Sequence, residues 1–207
     1  MSTRVGVISD THCPEFVDRL PGRVFELFED VDLILHAGDI SARETLAELE
    51  RLAPVEAVRG DHDGALPELP HVRRLEVEGR RIALLHGNRS RFIEEPVTFV
   101  GTVSLGYFWP TPGLHRWLRR RFPEADVIVY GHTHEAGIRR QGGTVIFNPG
   151  AVYQVTPEAA RRRLDREPSW FEWSWLQVVQ HRRRHPRPSV GILELSASGV
   201  TASILPL

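Results

Sequence analysis

The chain has 207 residues, 41% of them hydrophobic, and a formal net charge of -1. That length supports one domain with a sizeable core, and the near-neutral balance provides no global field for DNA or an anionic membrane. All 26 basic residues are arginine, which excludes Schiff-base lysine chemistry and a Walker-type phosphate loop.

The first apolar run, Val5-Gly6-Val7-Ile8, reads as a strand and is followed by Asp10-Thr11-His12. Pro21 to Asp30 places Val24, Phe25, Leu27 and Phe28 near helical spacing, with Pro21 in the first turn. Leu33-Ile34-Leu35 is a second strand, followed by Gly38-Asp39. Ser41-Ala42-Arg43-Glu44 then reads as a capping box before a helix with Leu46, Leu49 and Leu52 on one face. A third strand, Val55 to Val58, leads into Arg59-Gly60-Asp61-His62-Asp63-Gly64. Val72 to Val77 and Arg81 to Leu85 form a hairpin about Glu78-Gly79-Arg80 and end at His86-Gly87.

Beyond His86 the periodicity is lost, and an insertion near 92–113 carries Phe99, Tyr107, Phe108 and Trp109. Thr111-Pro112 opens a helix with Leu114, Trp117, Leu118 and Phe122 on one face. The strand Val127-Ile128-Val129-Tyr130 precedes Gly131-His132-Thr133-His134. Gly142-Gly143 turns the chain between Gly137 to Gln141 and Thr144 to Phe147, and Val190 to Leu195 pairs with Val200 to Leu205 about Ser198-Gly199. A second insertion, 156–188, places Trp170, Phe171, Trp173 and Trp175 between Arg161 to Arg163 and Arg182 to Arg184. Its spacing fits a helix or a strand, and its composition fits a homo-oligomer contact, a substrate lid, a single-stranded nucleic-acid surface or a helix packed on its own sheet. Strands alternating with helices, then hairpins, predict an α/β layered fold, a single domain over 1–207 that carries both insertions.

The single cysteine, Cys13, excludes an intramolecular disulfide and suits a reducing compartment. Met1 to Arg4 leads directly into the first strand, and no apolar run is long enough for a bilayer span, so a cytoplasmic protein is the expectation. The polar blocks after the strong apolar runs hold only carboxylates and imidazoles among potential ligands. In an open α/β sheet the crevice beyond the carboxyl ends of the strands is where ligands bind. Oxygen and imidazole donors without thiolates suit Mn, Fe, Ni or Zn, and two such ions can share a carboxylate.

Asp-x-His at 10–12, Gly-Asp at 38–39, the Gly60 block, His-Gly at 86–87 and Gly-His-Thr-His at 131–134, in this order, resemble the calcineurin-like metallophosphoesterase superfamily. The short chain and Asn148-Pro149-Gly150 are similar to its small bacterial and archaeal phosphodiesterase branch. The resemblance covers about residues 4–150 plus the terminal hairpin. It implies a four-layer α/β/β/α sandwich of two mixed sheets, with a site for two divalent transition metal ions, Mn foremost, at the strand ends. Asp10, His12, Asp39 and His134 would hold one ion, and Asp39, Asp61, His86 and His132 the other. His62 falls where many family members protonate the leaving oxygen. The family normally has Asn where this chain has Asp61, so the site carries an extra negative charge, which strengthens cation binding and opposes an anionic substrate.

Asp63 reads as a residue that orients its loop, Cys13 as a small filler, and Arg89 and Arg91 as candidate phosphate contacts. The expected function is hydrolysis of a small phosphoester by metal-activated water, most simply of a phosphodiester. The alternatives are a weakly active or inactive scaffold of the same fold that recruits a protein, and a nucleotide hydrolase or nuclease.

Overall fold

The chain begins with a strand, β1 (Ser2–Ile8), followed by α1 (Gly22–Leu27), β2 (Leu33–His36), α2 (Arg43–Leu49) and β3 (Val55–Ala57). A computed structural model describes residues 2–88, 113–181 and 185–207. The hairpin β4 (Val72–Val77) and β5 (Arg80–Leu85) comes next, then α3 (Leu114–Arg121), β6 (Val127–Val129), β7 (Gly137–Gln141) and β8 (Thr144–Asn148). Two helices, α4 (Pro157–Leu164) and α5 (Trp170–His181), precede the last hairpin, β9 (Ser189–Ser196) and β10 (Gly199–Pro206). Arg89, Arg91, the aromatic residues at 99 and 107–109, Thr111-Pro112 and Arg182 to Arg184 lie outside the described residues, as does all of 92–113 except Gly113.

Two five-stranded mixed sheets result, in the orders β10-β9-β1-β2-β3 and β4-β5-β6-β8-β7. In the first, β1, β2 and β3 run parallel while β9 and β10 are antiparallel additions. In the second, β5, β6 and β8 run parallel and are flanked by antiparallel β4 and β7. Side chains alternate across a strand, so Val5, Val7, Leu35, Leu193 and Leu195 meet Ile82, Leu84, Val127, Val129 and Phe147 in one core between the sheets. On the outer face of the first sheet, Val24 and Phe28 of the α1 region and Leu49 of α2 pack over Ile8, Ile34 and Ile192. Gly6 is required there, because an added Cβ would lie 3.1 Å from the Phe28 ring. The fold is therefore an α/β sandwich of two mixed sheets flanked by helices.

One local expectation is corrected. Ser41 does not cap α2: the N-cap position is Ala42, with no side-chain cap hydrogen bond. An N-cap residue needs extended backbone, whereas Ser41 has φ 78°. Its hydroxyl donates instead to Glu15 (2.9 Å) and its N–H to Asp63 (2.8 Å). A side-chain cap does occur at α4, where the Thr156 hydroxyl accepts from the Ala159 N–H (3.1 Å) ahead of Pro157.

Chain contacts divide the protein into two compact units, residues 1–87, 115–153 and 186–207 against 88–114 and 154–185. In the second, helices α4 and α5 account for most of the described residues of 157–181, and Leu176 and Val179 of α5 pack on Ala160 of α4. The ion pair from Arg163 to Glu172 (2.6 Å) joins the same two helices, while Trp170 and Trp173 stay exposed. Among the described residues, no helix is long and apolar enough to cross a membrane.

Candidate metal centre

The loops that follow the parallel strands of both sheets converge. Asp10 and His12 follow β1, Asp39 follows β2, Asp61 and His62 follow β3, His86 follows β5, and His132 and His134 follow β6. Backbone bonds lace the loops together: Asp10 N to Gly38 O (2.9 Å), His12 N to Asp39 O (3.0 Å), Gly131 N to His86 O (2.9 Å) and Tyr153 N to Asp10 O (3.0 Å). Asp10, His12, Asp39, His132 and His134 all have left-handed backbone, with φ between 47° and 65°. Asp and His are among the side chains that tolerate this region best. Such strain persists only where surrounding structure over-determines it, and it concentrates at functional sites.

Asp10 and Asp39 are each anchored by one oxygen and present the other. Asp10 Oδ2 accepts from the Ser9 hydroxyl and from His132 N–H (3.2 Å), which leaves Oδ1 3.2 Å from His134 Nε2. Asp39 Oδ1 accepts from His62 N–H (2.9 Å). Its Oδ2 lies 3.6 Å from His12 Nε2 and 3.3 Å from His86 Nε2. Asp61 Oδ2 is 3.5 Å from His132 Nδ1 and 3.9 Å from His86 Nε2. The His86 ring is set by its other nitrogen, which donates to Ala37 O (2.8 Å). Ligating imidazoles are commonly oriented in this way.

Among the described residues, three buried side-chain polar atoms, Asp10 Oδ1, His12 Nδ1 and His86 Nε2, have no hydrogen-bond partner. A buried polar group without one is costly, so their grouping marks where the donors await an occupant. Asp10, His12 and His134 bring ligand atoms within 4.8 Å of one another, as do Asp61, His86 and His132, and Asp10, Asp39 and His86. A divalent cation fits this oxygen and imidazole donor set.

The electrostatics match the geometry. Burial alone would raise the carboxyl of Asp10, but His134 and His86 hold it at about 2. Asp39 is likewise buried, yet His86, the His62 N–H and His12 keep it well below the usual carboxylate range. Burial disfavours a charged His86, but Asp39 and Asp10 overcome it and lift the ring to about 10. Burial pushes His12 down, although Asp39 and Asp10 pull the other way.

Several contributing residues escaped the sequence reading. Glu15 carries both oxygens 3.1 Å from His62 Nδ1 and lies 3.9 Å from His12 Nδ1. His36 accepts from Gly38 N–H at Nδ1 (3.3 Å), so Nε2 donates to the Thr11 hydroxyl (3.1 Å). Burial pushes His36 down to about 4, which keeps it neutral despite the nearby Asp63, Asp10 and Asp39. Asn148 donates to Gly131 O and Thr133 Oγ1 (both 3.0 Å) and holds the last histidine loop. Neither Glu15 nor His36 belonged to a motif, Glu15 being only a carboxylate three residues after His12, whereas Asn148 stood in the Asn148-Pro149-Gly150 block without a role read for it.

Asp63 has the orienting role read from the sequence. It is fully buried and accepts from the N–H groups of Asp39 (2.9 Å), Ile40 (2.7 Å), Ser41 (2.8 Å) and Gly60 (2.7 Å). Cys13 is a buried free thiol.

Comparison with known proteins agrees with this architecture. Residues 3–163 match the calcineurin-like phosphoesterase superfamily domain. A probable metallophosphoesterase of Methanothermobacter thermautotrophicus is 40% identical over 168 residues, covering 79% of this chain and 87% of that protein. A phosphodiesterase of Methanocaldococcus jannaschii is 25% identical, covering 71% of this chain and 82% of that protein. Vacuolar protein sorting 29 of Cryptosporidium parvum has the same fold, with a TM-score of 0.65 at 20% identity over 100% of this chain and 98% of that one. With its sandwich of two mixed sheets and its carboxylates and imidazoles at the strand ends, the chain belongs to the calcineurin-like phosphoesterase superfamily, a family of metal-dependent hydrolases of phosphoester bonds.

Proposed function

We propose that this chain is a phosphodiesterase whose site takes two divalent cations, Mn foremost, on Asp10, His12, Asp39, Asp61, His86, His132 and His134. The observation that carries the reading is Asp39 Oδ2, which lies within 3.6 Å of His12 Nε2 and 3.3 Å of His86 Nε2. One oxygen so placed can serve two ions. Cations in such a site supply charge stabilisation for the phosphoryl oxygens and acidify a nucleophilic water.

The chain supplies orientation and a proton. Asp39 is fixed by the His62 N–H, and His86 by Ala37 O. Glu15 receives the Nδ1 proton of His62, which leaves Nε2 as the atom that protonates the leaving oxygen. The His62 side chain is 41% exposed, open enough to meet a substrate. Diester rather than monoester specificity draws support from the Methanocaldococcus jannaschii relative, itself a phosphodiesterase.

Mn-loaded protein is expected to hydrolyse bis(p-nitrophenyl) phosphate, and chelation is expected to stop it. Asp39→Ala should lose both the bound metal, read by elemental analysis, and the turnover. Saturating Mn with no occupancy in the wild type would remove the reading.

A second reading is favoured by the full-length likeness to vacuolar protein sorting 29 and by the extra charge of Asp61. In it the fold serves as a protein-binding scaffold with little turnover. Robust Mn-dependent hydrolysis of a diester rejects it.

A further inference from the structure

We infer that Phe16 and Tyr153 form an aromatic shelf beside the metal centre that receives a flat aromatic ester group, so that the substrates are phosphoesters of aryl or nucleobase-bearing alcohols. The inference rests on the phosphoesterase reading of the centre given above.

Both rings hang from the backbone that carries candidate ligands. Phe16 N–H (2.8 Å) and Val17 N–H (3.2 Å) donate to His12 O, and Tyr153 N–H donates to Asp10 O. The Phe16 backbone is thus fixed, and the residue remains 42% exposed. Its ring centroid lies 5.0 Å from that of Tyr153 with 30° between the planes, so the two rings pack against each other and Tyr153 backs the exposed surface of Phe16. That surface abuts the centre: Phe16 is 5.2 Å from the His12 ring and 5.7 Å from His62, and Tyr153 is 5.5 Å from His12.

Ile138, Trp170 and Trp173 are the other exposed large hydrophobic side chains among the described residues, and none of them belongs to this aromatic group. An apolar ring held rigidly beside charged groups gains most when a ligand covers it, and a π face accepts any flat ring without a demand for specific hydrogen bonds. The shelf adjoins His62, the proposed proton donor. The group it would hold is therefore the one attached to the leaving oxygen, retained in the alcohol product, or its equivalent in a bound monoester.

The test is calorimetric titration of Mn-loaded protein with methyl phosphate, phenyl phosphate and uridine 5'-monophosphate, which removes leaving-group reactivity from the comparison. Phenyl phosphate is expected to bind about tenfold or more tightly than methyl phosphate, the scale of one ring stacked on an aromatic side chain. Phe16→Ala should bring the two esters within about twofold of each other, while Phe16→Trp and Tyr153→Phe should retain the preference. Ile138→Ala, an exposed apolar truncation elsewhere, should leave it intact. Uridine 5'-monophosphate binding more tightly than phenyl phosphate identifies the ring as a nucleobase, and weaker binding identifies a simple aryl group. Equal affinity for phenyl and methyl phosphate in the wild type, or a preference that survives both Phe16→Ala and Tyr153→Ala, overturns the shelf alone. Failure of all three monoesters to bind in the presence of Mn overturns the metal-site reading and the shelf with it.

Discussion

Glu15 brings three groups to one carboxylate: His62 and the Ser41 hydroxyl by hydrogen bonds, and His12 at ion-pair range. A histidine held in this way keeps a fixed tautomer and orientation, which general acid catalysis requires. His62→Ala is expected to slow alkyl phosphodiesters by about 10² to 10⁴ and nitrophenyl esters far less, since a nitrophenolate leaves without protonation. Glu15→Gln should act in the same direction with a smaller loss. Steady-state rates on both ester types check this, and equal losses on the two would assign His62 to binding. Asp61 raises a different question at the same scale. Its carboxylate adds charge beside His86 and His132, which strengthens cation binding and opposes an anionic substrate. Asp61→Asn should keep both metals, raise kcat/KM on diesters several-fold, and move the acidic limb of the pH–rate profile to lower pH. An inactive Asp61→Asn protein with both metals bound would favour the scaffold reading instead.

At the scale of elements, the site is a set of loops held in place by other loops. Asp63 joins the segment after β2 to the segment after β3 through the backbone N–H groups that donate to its carboxylate, with no exposure to solvent. Gly60 completes the fit, because any Cβ there would run into the Asp39 carboxylate. A hydrogen bond to a charged group contributes roughly 1.5–3 kcal/mol. Asparagine at 63 would lose the charge and turn an N–H toward the backbone donors. Asp63→Asn should therefore lower unfolding stability by about 2 kcal/mol or more and weaken Mn affinity, because Asp39 loses its backbone support. Urea unfolding and Mn titration read the two effects separately, and unchanged Mn affinity would show that Asp39 is held without Asp63.

At the scale of the whole molecule, the proposed metal site would set protons and metal in competition for the same atoms. His86, at about 10 in the metal-free fold against an ordinary value of 6.5, has a raised pKa. Its contribution to stability is fully present below about 6.5 and is lost as pH rises through about 10. Asp10, at about 2 against 3.8, is the opposite case: its contribution is present above 3.8 and is lost as pH falls through about 2. A ligating imidazole must shed its proton, so Mn affinity is expected to rise with pH across the neutral range. Mn at about 100 times its Kd should raise Tm by roughly 5–10 °C. At a fixed Mn concentration the increase should be larger at pH 8.5 than at pH 7. A melting temperature unmoved by Mn at both pH values would contradict the competition.

The apolar runs and hairpin turns were legible in the chain itself, because alternating burial in a strand and glycine at a turn are local demands. So β2, β5, β6 and the hairpins at Glu78-Gly79, Gly142-Gly143 and Ser198 could be placed to within a residue or two, and β1 to within three. The types and positions of the polar blocks, and the family they resemble, were also local information. The insertion at 156–188 was not, because tryptophans at 170, 173 and 175 satisfy both periods, and only the packing of Leu176 and Val179 on Ala160 decided for helix. Ser41 failed as a cap for the same reason: partners from residues 15 and 63 outcompeted the local pattern. Glu15, His36, Phe16 and Tyr153 also have partners distant in sequence, which are His62, Thr11, Tyr153 and His12 respectively. Their roles exist only once two sheets bring the loops together, since a hydrogen bond or a ring contact depends on position in space and leaves no period in the chain.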